Sequence, residues 1–133
     1  MELSPALPAV HHDLARVYLA QQRPQEALAE IEQEPEPVWR LFGQALVYHE
    51  LGNKKEADAA LGEFIAKYSE DSAYQVATAY AFRGETENAF EWLEKAYIRR
   101  DPGLSDVKVD PLLSNIRGDR RYTAFLKKMR LSV

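Results

Sequence analysis

Two adjacent histidines and a carboxylate are the first residues in this chain that could do chemistry. His11, His12 and Asp13 carry donor types found at zinc and other transition-metal sites. Adjacent residues on a helix point about 100° apart, however, so one ion cannot readily take both rings, and His49 stands alone. Glu91 and Glu94 could form an acid–base pair, but they fall in a charge-rich stretch beside Lys95. Nothing there indicates the cleft that would pull two carboxylate pKa values apart. There is no glycine-rich phosphate loop, no nucleophile–base arrangement and no cysteine. The sequence therefore predicts no metal, no cofactor and no enzyme.

The charge pattern offers a different chemistry. The 133 residues carry a net charge of −4. Up to Tyr74 there are 13 acidic and 6 basic side chains, and beyond it 8 and 11. The acidic excess gathers at Glu26, Glu30, Glu32, Glu34 and Glu36. The basic excess gathers at Arg117, Arg120, Arg121, Lys127, Lys128 and Arg130. Either end could orient a charged partner, and the last helix, with Tyr122 available to stack, is a minor candidate for weak nucleic-acid binding. The plainer expectation is a solvated helix face at each end, with the basic residues paired to acids upstream.

The elements that carry these residues are helices throughout, because apolar residues recur at helical and never at alternating spacing. Ser4-Pro5 opens the first helix, which runs to about Gln21 with Leu14, Ala15, Val17 and Tyr18 as its apolar residues. Pro24 starts the second, and Glu34-Pro35-Glu36-Pro37 ends it. The third spans about Pro37 to Leu51, and Gly52-Asn53 separates it from a fourth that reaches about Tyr68. A fifth ends at Arg83-Gly84, and a sixth runs from about Glu85 to Arg99. Asp101-Pro102-Gly103 is a stop, Asp110-Pro111-Leu112-Leu113 a short helical turn, and Asp119 caps a last helix carrying Tyr122, Phe125, Leu126 and Met129. No stretch approaches the roughly 20 apolar residues that span a bilayer, and residues 1–10 lack a secretory layout. A cytoplasmic location is expected.

An alanine–tyrosine–alanine pattern recurs three times: Ala15, Tyr18 and Ala27; Ala45, Tyr48 and Ala57; Ala77, Tyr80 and Ala89. Successive sets begin 30 and then 32 residues apart. Such a period marks a repeat architecture, in which paired helices stack on their neighbours. Small side chains let the two helices of a pair approach, and the tyrosine fills the space beside them.

On these residues the chain resembles the tetratricopeptide repeat (TPR) family. Its small residue, aromatic, inter-helix glycine, small residue and large apolar residue fall on Ala45, Tyr48, Gly52, Ala57 and Leu61, and again on Ala77, Tyr80, Gly84, Ala89 and Leu93. In the first repeat Gln22 stands where the glycine would be. The resemblance implies an all-α domain over 1–133: three helical hairpins (about 7–36, 37–69 and 70–102) in a right-handed superhelical stack, closed by capping helices in 103–133. The tail, with Asp101-Pro102-Gly103-Leu104, Lys108 to Leu112, Arg117-Gly118-Asp119 and Arg121-Tyr122, is similar to the ends of TPR segments in bacterial cyclase-like and winged-helix signalling proteins. That similarity implies an accessory module of a larger regulatory protein.

In TPR proteins the first helix of each repeat lines a concave groove. The corresponding side chains are Trp39, Phe42, Leu46 and His49 on the third helix, His12 and Arg16 on the first, and Tyr74 and Thr78 on the fifth. The resemblance thus implies a scaffold that binds a protein or peptide there, with self-association of the chain into a homodimer as the alternative; Trp39 and Phe42 could instead pack inside the domain. The lysine–asparagine clamp that captures terminal carboxylates in some relatives is missing, its positions being held by Phe42, Leu46, Asp71 and Gln75.

Overall fold

The computed structural model describes residues 10–131. Within them the chain forms α1 (Val10–Ala20), α2 (Pro24–Ile31), α3 (Pro37–Glu50), α4 (Lys54–Tyr68), α5 (Ala73–Phe82), α6 (Thr86–Arg99), two 3₁₀ segments (Pro102–Asp106 and Pro111–Ile116) and α7 (Arg120–Leu131). No strand occurs among the described residues. Pro24 and Pro37 each take the first helical position, where a missing N–H costs nothing. The helix start expected at Ser4-Pro5 lies outside the described residues.

The three hairpin turns are built alike. Arg23 donates its backbone N–H to Tyr18 at 2.8 Å, Asn53 to Tyr48 at 2.9 Å and Glu85 to Tyr80 at 2.9 Å. The residue before each donor is left-handed: Gln22 with φ 61°, Gly52 with 82° and Gly84 with 79°. This is the Schellman cap, which satisfies carbonyls that the helix end would otherwise orphan. Each repeat tyrosine therefore supplies both bulk and the accepting carbonyl. Gln22 adopts the glycine conformation despite its Cβ, at a cost of about 1 kcal/mol.

The six repeat alanines are at most 1 % exposed, and their tyrosine partners are half-buried. Helices α1 and α2 are in contact, as are α5 and α6, while Phe42 of α3 meets Phe64 of α4 with ring centroids 5.6 Å apart. Replacing Ala89 by leucine is expected to overpack the α5–α6 crossing and cost roughly 1–3 kcal/mol. A melting curve coincident with wild type would refute that packing.

The chain divides into two compact units, one ending at Lys67 and the other beginning at Tyr68. In the first, Ala15, Ala27, Ile31 and Val47 form a core with Tyr18, Leu19, Leu28 and Leu51 against it. Gly43 is needed there, because a Cβ would fall 2.3 Å from Ile31 Cδ1. Glu34, expected to be solvated, is buried instead. One of its carboxylate oxygens accepts the backbone N–H of His12 at 3.1 Å and the other that of Glu36 at 3.2 Å, while its carbonyl takes Arg40 Nη1 at 2.7 Å.

In the second unit the tail folds back on α5. Asp101 caps the first 3₁₀ segment by accepting from Gly103 N at 2.8 Å, and its other oxygen accepts from Tyr74 N at 3.1 Å. Asp110 caps the second through Leu112 N at 3.0 Å and accepts from the Tyr74 hydroxyl at 2.9 Å. The stop expected at Asp101-Pro102-Gly103 is thus also the start of a 3₁₀ segment. Leu104, Val107, Leu113 and Ile116 join Tyr74, Ala77 and Ala81 in one core. Asn115 Nδ2 reaches the carbonyls of Ala81 and Phe82 at 3.0 and 3.1 Å, closing the end of α5. Tyr122 of α7 donates to Val107 O at 3.0 Å. Asp119 accepts from Arg121 N at 2.8 Å, as expected of an N-cap.

Candidate interaction surface

The expected groove residues separate by burial. Trp39, Arg16 and His49 are half-buried, whereas Phe42, Leu46, His12, Tyr74 and Thr78 are buried. The expectation that these last five line an open groove is corrected by the packing. His12 lies between Trp39 and Phe42, with centroids 5.2 and 5.3 Å away, so the aromatic stripe of α3 closes on α1. Tyr74 is held by Asp101 and Asp110, and Thr78 Oγ1 donates to Gln75 O at 2.7 Å. The tail therefore occupies the Tyr74 side of α5. Periodicity gave the direction of these side chains along each helix, but not which sectors other segments cover.

Two of the residues that the sequence placed on the apolar side of α1, Leu14 and Val17, stand in solvent together with Val10. Val10, Leu14 and Val17 are 39, 43 and 50 % exposed. Their spacing puts them in one stripe. Thirty residues on, the counterpart of Val17 is Val47, which is buried in the first-unit core. In α5 the counterparts of Leu14 and Val17 are Val76 and Ala79, both fully buried. Thus a helix sector that is covered in the third repeat, and at Val47 in the second, is open in the first, and aligning the repeats was the signal that could have found it.

Several of the polar candidates are engaged within the fold. His11 Nδ1 bonds Glu30, and no group of three metal-ligating residues occurs among those described. Glu94 pairs with Lys128, which also sits 4.5 Å from the centre of the Tyr97 ring. Arg121 pairs with Asp119 at 3.0 Å and lies over Phe90; its guanidinium and N–H hold the Asp119 carboxyl down to about 2. Between α6 and α7 these side chains border an open groove of about 430 Å³ with Phe90, Ala124 and Phe125 in its lining. Trp92 packs against the second-unit core under Lys95, whose Nζ is 4.0 Å from the ring centre. None of the described helices is long and apolar enough to cross a membrane.

Comparison with known proteins adds the family. A tetratricopeptide repeat model matches residues 8–33, covering the α1–α2 hairpin, and a second tetratricopeptide repeat model matches residues 41–70, covering most of α3 and α4. No curated protein and no solved structure gives a match. The matched segments fold as helical hairpins closed by the same turn, so residues 8–33 and 41–70 are tetratricopeptide repeats, and the described part of the chain is all-α.

Proposed function

We propose that this chain is a non-catalytic scaffold that binds a helix of a protein partner along the open edge of α1, as an accessory module of a larger regulatory assembly. Tetratricopeptide repeats are in general protein–protein interaction modules, which supports the class of function. The observation that carries the location is the solvent-facing stripe Val10, Leu14 and Val17; the counterparts of Leu14 and Val17 in α5, Val76 and Ala79, and that of Val17 in α3, Val47, are buried. A partner helix with an apolar face of similar spacing would remove that stripe from water much as neighbouring helices do elsewhere in the chain. Half-buried Trp39, with Arg16 and His49, is the anchor left from the expected groove and offers a secondary contact. The absence of cysteine suits a reducing cytoplasmic setting.

The test is a partner captured by crosslinking to the wild-type chain, purified, and titrated by calorimetry. Leu14→Asp/Val17→Asp is expected to weaken binding at least roughly tenfold, since charges replace two apolar contacts, with the circular dichroism spectrum unchanged. Full affinity in that variant together with a loss in Trp39→Ala would overturn the α1 location and favour the groove. The second reading, self-association along the same edge, rests on the same exposed stripe. It requires sedimentation to show a dimer that Leu14→Asp/Val17→Asp dissolves.

A further inference from the structure

His12 sits in an unusual place for an ionisable ring. It is 1 % exposed, and among the described residues neither Nδ1 nor Nε2 makes a hydrogen bond of ordinary geometry. Trp39 and Phe42 flank it, and Phe64 of α4 packs behind Phe42. Gly43 makes room on the α3 side, where even a Cβ would come within 3.1 Å of Nδ1. The charged groups around this pocket come from each neighbouring element. Arg16 on α1 acts on the ring directly. Glu34 and Glu36 lie in the connector, Arg40 begins α3, and Glu30 of α2 is taken by His11. The Glu34 carboxylate is bonded to His12, yet its two oxygens take the backbone N–H groups of His12 and Glu36 and not the ring.

A neutral imidazole can be held in such a slot by stacking alone. A protonated ring is held far less well, because it brings a charge and a second N–H donor into a space where the Trp39 backbone offsets the cost only in part. Water is the available partner, and α1 must move off α3 to admit it. We propose that His12 is an acid-sensitive latch: neutral, it keeps the first hairpin closed on α3, and taking up a proton releases it. The latch does not depend on the partner-binding reading, although opening it would displace the α1 edge.

The ring's proton affinity agrees with this geometry. Burial, then the positive charge of Arg16, lowers the His12 pKa from 6.5 to about 4, and the Trp39 backbone opposes them only in part. The folded state therefore refuses a proton that the unfolded chain accepts. The stabilisation is complete above about pH 6.5 and is lost as pH falls towards 4. Linkage then raises the unfolding equilibrium constant about twentyfold between pH 7 and pH 5.

The experiment uses the full chain in a Trp92→Phe background, so that Trp39 fluorescence reports the first unit during urea unfolding. A rise of that order from pH 7 to pH 5, reduced to below about threefold by His12→Phe or His12→Leu, is the expected result. Equal pH dependence with and without His12 would overturn the latch, as would no dependence in the parent. A histidine ring NMR titration of the parent gives a reading even if neither variant folds: an ordinary midpoint for His12 would refute the proposal.

Discussion

Truncating Phe42 to alanine is expected to destabilise the first unit by roughly 3–5 kcal/mol, the range for removing a large buried aromatic side chain. The ring is 2 % exposed and touches His12, Trp39 and Phe64, so the cavity would open where α1, α3 and α4 converge. Urea unfolding followed through Trp39 measures the loss directly. Phe42→Leu, which retains most of the volume, should recover more than half of it. If Phe42 were a surface anchor, alanine would cost well under about 1 kcal/mol. That outcome would restore the open-groove expectation and contradict the packing.

Replacing Asp110 by alanine is expected to cost roughly 2–4 kcal/mol and to loosen the tail. The carboxylate is 9 % exposed and accepts from Leu112 N–H and from the Tyr74 hydroxyl. Removing it leaves both without their acceptor. Hydrogen exchange should then accelerate at amides of the second 3₁₀ segment and α5 before the rest of the second unit. Asp110→Asn retains one carbonyl oxygen and should recover part of the stability. Tyr74→Phe, which removes the hydroxyl bond and leaves the Leu112 cap, should cost less than Asp110→Ala. Equal losses in Tyr74→Phe and Asp110→Ala would mean that the Leu112 cap contributes nothing.

The repeat itself was legible in the sequence because its determinants are local. Alanine at a crossing, tyrosine one turn on and glycine after the helix each act within one hairpin, and the proline starts of α2 and α3 depend on the residue alone. Gln22 shows where a local rule yields: the turn forms with the glycine missing, since the same backbone bonds to Tyr18 and Leu19 hold it. What stayed hidden was cover. Phe42 and Leu46 point where helical spacing says, but their burial depends on segments distant in sequence. Glu34 reads as one more charge in an acidic run, although two backbone N–H groups and a proline-rich turn hold it inside. Asp101 and Asp110 read as helix punctuation, and their bonds to Tyr74 span 27 and 36 residues. The exposed stripe on α1 was hidden for the converse reason: apolar spacing alone cannot tell a covered sector from an open one.

The anchoring of the tail to Tyr74 bears on how such a chain could lengthen during evolution. Tandem duplication adds units most easily where an existing end already offers a complementary surface. A hairpin inserted after Arg100 would separate the two aspartate–proline anchors from the tyrosine they hold, and the newcomer would have to supply equivalent bonds. The bare aliphatic ridge of α1, by contrast, is already suited to receive a neighbour. Growth of the array is thereby biased towards one end.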